Sequence, residues 1–332
     1  MGWTRTTGPA GRQAGVKRQV VRQAHYRLQT LAFLSAISFG KTKEMAYRMQ
    51  YTCTCMRTTF EIQQALIISV SAAKSAGKLL EQKQAALLSH GYSAIGVGTK
   101  SGPHDYASDA DREAQAIIVD AIQKHFPDHR ILGEEGDTDH LGSPDSPYRW
   151  IIDPLDGTTN FIHGKPNYGT IIALQENGET ILGVMVRHMA KETYTAIRGE
   201  GCFLNGKRCK LRKTAGMEDA VLSSNIVHRA HKTPGGVLVV PIPFCASVEN
   251  YGNAIEEFAV VLKGWNDGVF FDGPRLWDTA AGCLMVEEAR GQSRTELKDQ
   301  SNPRSGVLCA ATTKEIFSEV EKFVFEKLRM EH

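Results

Sequence analysis

Apolar residues recur at helical spacing from Phe60 through Ala65, Leu66 and Ile67 to about Leu88, and Gly91 ends the run, so the pattern predicts a helix over roughly 60–88. A second helix starts near Asp109 to Asp111, carries Ile117, Ile118, Ala121 and Ile122 on one face, and stops at Pro127. Ile151-Ile152 before Asp153-Pro154 reads as a short buried strand feeding a turn. Between Tyr168 and Lys210 the period changes from helical to alternating: strands at Gly169–Leu174, Ile181–Val186 and Glu192–Ile197, a turn at Asn177-Gly178 and a hairpin at Asn205-Gly206. Ala254 to Leu262 and Trp277 to Glu288 return to helix, the latter ended at Gly291. Helices, a β meander and then mixed elements predict an α/β (α+β) fold in packed layers.

Composition narrows the function. The 332 residues are 42% hydrophobic and 23% charged, ordinary globular usage with room for one large domain or two subdomains. The longest apolar stretch, Leu31 to Phe39, is too short to span a bilayer. Residues 1–59 hold ten Lys/Arg against one acid, Glu44, so the net charge of +2 hides a mildly acidic remainder. That balance argues against a general nucleic-acid-binding surface. Seven scattered cysteines suggest reduced thiols and a cytoplasmic protein. Residues 1–43 contain no Asp or Glu, which fits a mitochondrial transit peptide, a start codon placed too far upstream, or a basic tail equally well. The expected division is a disordered or targeting leader over 1–57, an N-terminal α+β subdomain over 58–214 and a C-terminal α/β subdomain over 215–332.

Acids cluster next to turns or helix starts in three strings: Gly133-Glu134-Glu135-Gly136, Asp153-Pro154-Leu155-Asp156-Gly157-Thr158-Thr159-Asn160-Phe161, and Trp277-Asp278-Thr279-Ala280-Ala281-Gly282. Hard divalent cations take oxygen ligands from a few carboxylates, carbonyls, phosphate and water. Pro154 and Gly157 break the strand, so Asp153 and Asp156 can point to one side and free the Leu155 carbonyl. Gly157-Thr158-Thr159 at a helix start suits a phosphate oxygen, and the Thr158 hydroxyl can orient a water. The competing reading makes Asp153 and Asp156 turn and cap residues.

DPLDGTTNF at 153–161, LWDTAAG at 276–282 and GEEG at 133–136 closely resemble the three signatures of the inositol monophosphatase-like superfamily of Mg²⁺-dependent, lithium-sensitive phosphatases. The resemblance runs from about Lys100 to Gly291 and takes in Lys100, Asp105, Ser108 and Asp111. It implies a layered αβαβα sandwich of two subdomains and two or three Mg²⁺ ions. Glu134, Asp153 and the Leu155 carbonyl would hold the first ion, Asp153, Asp156 and Asp278 the second, and Asp111 would help to hold a third. Glu134 and Thr158 would polarise the attacking water, and Gly157 with Thr158 would face the phosphate. The implied partner is a small phosphorylated metabolite, with no nucleic acid or membrane, and a homodimer is expected.

Substrate choice is less defined. By the resemblance, Asn253 and Ala254 match a substrate-lining loop, and Phe271 stands where inositol-selective members carry an acid. Inositol monophosphate is the default substrate. Fructose 1,6-bisphosphate, a 3′(2′),5′-bisphosphate nucleotide and histidinol phosphate are the alternatives within the superfamily, and a non-catalytic metal- and phosphate-binding module is the alternative outside enzymology.

Overall fold

The computed structural model describes residues 43–99, 106–136, 138, 140–226, 231–232, 238–239, 242–296 and 306–328. The chain forms two compact units, Met1–Gln63 and Gln64–His332; both large sheets and every candidate site residue belong to the second. Helix α1 spans Lys43–His90, well before the expected start at Phe60, because no glycine or proline interrupts 43–60. The rest of the predicted leader lies outside the described residues. Helix α2 (Asp109–His125) opens with a capping box between Ser108 and Asp111.

The first sheet has seven strands in sequential order: β1 (Arg130–Gly133), β2 (Tyr148–Asp156), β3 (Gly169–Glu176), β4 (Glu179–Arg187), β5 (Glu192–Ile197), β6 (Gly201–Leu204) and β7 (Lys207–Arg208). Only the β1–β2 pair is parallel. The short helix α3 (Thr158–Ile162) follows β2. The second sheet runs β9-β8-β10-β12-β11, where β8 is Val221–Ser224, β9 Ser247–Glu249, β10 Gly268–Asp272, β11 Gln292–Glu296 and β12 Val307–Ala311. Helices α4 (Ala254–Leu262) and α5 (Leu276–Glu288) are interleaved in sequence with the strands of the second sheet and pack between the two sheets, and α6 (Lys314–Lys322) follows β12.

Alternation along the strands sorts side chains into layers. Ile151, Ile171, Ala173 and Met185 of the first sheet and Val269, Phe271, Leu308 and Ala310 of the second form one core with α4 and α5. Phe270 and Cys309 face the other way and pack with Ile316 and Val320 of α6. On the outer side of the first sheet, Trp150 meets Phe126 at the end of α2. The order helix, sheet, helix, sheet, helix is the expected α/β sandwich. Its middle layer is thin because small residues allow close approach: a Cβ on Gly282 would overlap the Phe258 ring, and Gly183 lies directly against Ala281. Cys202, Cys209, Cys245, Cys283 and Cys309 are all free thiols. Among the described residues no helix is long and apolar enough to cross a membrane.

Candidate metal centre

The end of β2 carries the candidate chemistry. Asp153 pairs with Ile171 and Asp156 with Gly169, so the intervening Pro154 and Leu155 make a bulge. Proline has no N–H to give to the ladder, and the extra residue bends the strand. The Leu155 N–H donates to Asp153 Oδ1 at 3.0 Å, which folds the loop over that carboxylate. Gly157 then turns the chain at φ 91° and ψ 36°, a left-handed conformation, and a Cβ there would overlap the Asn253 amide. Helix α3 begins at Thr158, whose Oγ lies 2.9 Å from Asp111 Oδ1 and 3.1 Å from the Leu155 carbonyl oxygen. Asp111 Oδ2 accepts from the Ser108 N–H and hydroxyl, so this carboxylate caps α2 and reaches the loop through Thr158.

The remaining acids arrive from other elements. Asp156 accepts from Ala254 N at 3.2 Å and Ile255 N at 2.6 Å, which seats it on the first turn of α4. Asp278, in the first turn of α5, accepts from Arg275 N at 2.7 Å. Glu134 follows β1 in a loop pinned by Gln115 of α2, whose amide accepts from Glu135 N and donates to the Gly136 carbonyl. Asp153, Asp156 and Asp278 each place a carboxylate oxygen within 4.8 Å of the others.

Such proximity is costly without a counter-charge. Burial pushes the Asp153 carboxyl well above the usual carboxylate range, and Glu134, Asp156 and Asp278 push it further, with a hydrogen bond to Glu134. Burial also raises Asp156, with Asp278 adding to the effect and the two α4 N–H groups opposing it. The largest influences that favour protonation are therefore desolvation and other acids. An all-oxygen, multiply charged and buried donor set of this kind fits a hard divalent cation.

The predicted residues are distributed as follows. Asp153, Asp156 and Asp278 converge and Glu134 hydrogen-bonds Asp153, while the Thr158 hydroxyl links the Leu155 carbonyl to Asp111. Asn253 lies over Gly157, but its side chain caps α4 by accepting from Glu256 N at 3.0 Å and donates to the Asn167 carbonyl at 2.7 Å. Ala254 meets the site through its backbone N–H. Phe271, expected at the pocket, is only 3% exposed and packs edge-on against Phe258 in the middle layer. Strand alternation turns it toward the core. Lys100 and Asp105 lie outside the described residues.

The sequence profile of the inositol monophosphatase family matches residues 61–324. The chain belongs to the inositol monophosphatase family. Its relatives include an inositol-1-monophosphatase from Rhizobium meliloti, 38% identical over 58% of this chain and 73% of that protein. The Nus factor SuhB of Escherichia coli is 35% identical over 68% of this chain and 83% of that protein. Among solved structures, the Thermotoga maritima IMPase superposes with a TM-score of 0.64 at 30% identity, covering 80% of this chain and 99% of that one. The fold seen here is thus the fold of this family.

Several groups that build the site carry no motif of their own. The Ala254 and Ile255 N–H groups on Asp156, the Gln115 brace under the Glu134 loop, and Thr170, whose hydroxyl donates to the Pro154 carbonyl at 2.9 Å, are visible only in three dimensions. Arg187 of β4 also reaches Glu256 of α4 through Nε at 2.8 Å and Nη2 at 2.5 Å, beside the turn that receives Asp156.

Proposed function

We propose that this family member is a Mg²⁺-dependent phosphomonoesterase acting on a small phosphorylated metabolite, with inositol monophosphate as the leading substrate. The convergence of Asp153, Asp156 and Asp278 within 4.8 Å, two of them buried, carries this reading. Asp153, Asp156 and Asp278 would hold one Mg²⁺, and Glu134, Asp153 and the Leu155 carbonyl another, with Asp111 close to a third position. Mg²⁺ bound by these oxygens supplies positive charge that offsets the charge of the phosphoryl group and leaving oxygen, and it acidifies water.

The chain's own groups orient the reaction. Thr158 donates its proton toward Asp111, which leaves its oxygen lone pairs free to accept from a water at the mouth of the loop. Glu134 would take that water's proton as it attacks phosphorus. Gly157 and Thr158 lie beside the carboxylates, where an ester phosphate would sit. Asp156, held by two N–H groups of α4, ties the second half of the site to the bulge. No covalent nucleophile is needed.

A phosphate-release screen tests the reading. It would cover inositol monophosphates, fructose 1,6-bisphosphate, 3′-phosphoadenosine 5′-phosphate and histidinol phosphate, each with Mg²⁺ and with chelator. Metal-dependent release, greatest for inositol monophosphate, supports it. Preference for another ester reassigns the substrate. No release from any ester, with cation binding intact, would put a non-catalytic binding module in its place.

A further inference from the structure

The bulge at Pro154-Leu155 takes two carbonyls out of the ladder, and their fates differ. The Leu155 carbonyl faces the Thr158 hydroxyl within the site, whereas the Pro154 carbonyl turns to Thr170 of β3, whose Oγ is 2.9 Å away. Thr170 Oγ also lies 2.9 Å from His188 Nε2. A carbonyl oxygen can only accept, so the single hydroxyl proton of Thr170 goes to Pro154, and His188 must donate to Thr170 from Nε2. His188 therefore carries its proton on Nε2 and leaves Nδ1 bare.

That ring has little room to move. His188 is buried, with 4% of its surface exposed, and a Cβ on Gly77 of α1 would overlap its Nδ1. Burial also holds its pKa down to about 4, against the pull of Glu81, so the neutral ring persists. His188 immediately follows Arg187, the residue that grips α4 from the opposite face of the same sheet. Arg187 thus ties β4 to α4, while its neighbour His188 reaches Thr170 and lies against α1.

We propose that His188 and Thr170 are positioning residues for the cation site, relaying the fixed position of α1 to the Pro154 carbonyl and so to the directions of Asp153 and the Leu155 carbonyl. The inference rests on the metal centre proposed above. A buried hydroxyl and imidazole each need a partner to offset their desolvation. Here the chain of partners ends on the Pro154 carbonyl, which lies between Asp153 and Leu155 in the chain. A purely space-filling role would need neither the hydroxyl nor the Nε2 proton. Groups that orient ligands in this way typically change metal affinity tenfold to a hundredfold when removed.

The test is a Mn²⁺ titration of the full chain, with free Mn²⁺ read by electron paramagnetic resonance and folding read by thermal melting. Thr170→Val keeps the shape but loses the donor, and is expected to weaken Mn²⁺ binding by about tenfold or more. Thr170→Ser keeps the hydroxyl, and His188→Gln can donate from the place of Nε2; both should stay within about threefold of wild type, by the same reasoning. Asp153→Asn is the control for the centre itself. Unchanged Mn²⁺ affinity in Thr170→Val, alongside loss in Asp153→Asn, overturns the positioning role and leaves the metal centre standing. Absence of Mn²⁺ binding by wild type, or wild-type binding by Asp153→Asn, overturns both. If Thr170→Val does not fold, His188→Ala against His188→Gln decides: weaker binding by the alanine variant supports the role, and equal binding overturns it.

Discussion

Replacing Asp153 by Asn should stabilise the metal-free protein and abolish the further stabilisation by Mg²⁺. Without divalent cations the three clustered carboxylates repel one another. Two unit charges separated by 4.8 Å, the reach of the cluster, cost roughly 3 kcal/mol at an effective dielectric of about 20. Protonation of the cluster relieves much of this, so removing one charge should stabilise the metal-free protein by about 1–3 kcal/mol. The amide oxygen can still accept the Leu155 N–H, so the fold of the loop is kept. The sign with pH follows from the raised carboxyl of Asp153. Below about pH 4 both folded and unfolded chains are protonated at this position. As pH rises the unfolded chain ionises first, and the metal-free wild type loses stability relative to Asp153→Asn. Mg²⁺ reverses the order: at about one hundred times its dissociation constant a ligand stabilises by about 2.7 kcal/mol. For a body of this size that raises the wild-type Tm by roughly 5–10 °C, while Asp153→Asn should barely respond. Differential scanning calorimetry in chelator and in saturating Mg²⁺ reads both effects. A lower Tm for Asp153→Asn in chelator, or an equal rise with Mg²⁺ in both proteins, would refute the reasoning.

Thr158→Ala should lower kcat on the order of a hundredfold while costing about 1 kcal/mol of stability; full activity would remove Thr158 from orienting water. Phe271→Glu buries a carboxylate in the middle layer, so a loss of several kcal/mol is expected, with no change in the ratio of kcat/KM for inositol monophosphate over an aryl phosphate. A change in that ratio would return Phe271 to the pocket. The depressed pKa of His188, about 4 against an ordinary 6.5, means that the unfolded chain takes up a proton first as pH falls. Stability present above pH 6.5 is thus lost progressively toward pH 4, by about 3 kcal/mol, and melting curves of His188→Gln should lack that component. Li⁺ should inhibit phosphate release in the millimolar range by entering the site of Asp153, Asp156 and Asp278, and insensitivity with normal Mg²⁺ activation would assign the chain to a lithium-resistant branch.

The layered fold was legible because apolar period and turn residues agree along most of the chain. The strands of the meander end close to Asn177-Gly178 and Asn205-Gly206, and α4 and α5 fall close to the predicted spans. The carboxylates were legible for a different reason: residues Asp153 to Thr158 are contiguous, so one short string holds the bulge, two of its acids and its turn. What supports them was not. The N–H groups that receive Asp156 lie some hundred residues later and have no side-chain signature. Thr170 looks like an ordinary strand residue and His188 like an ordinary turn residue until the fold brings the threonine to Pro154 and the histidine to the threonine. Phe271 shows the opposite failure. Its alignment with an acid position suggested a pocket, yet alternation on β10 turns it inward with Val269 while Phe270 faces α6. The early start of α1 went unseen because the basic, acid-poor composition of the leader outweighed the absence of helix breakers after Lys43.

The central claim is that these carboxylates act through bound Mg²⁺ to hydrolyse a phosphate monoester. Initial rates of phosphate release from inositol monophosphate, measured across a Mg²⁺ titration for wild type and Asp278→Asn, address it most directly. The account predicts no release in chelator, a saturable rise with Mg²⁺ for wild type, and for Asp278→Asn either no activity or a Mg²⁺ requirement shifted upward by about tenfold or more. Release that persists in chelator, or an Asp278→Asn titration that overlays wild type, would contradict it.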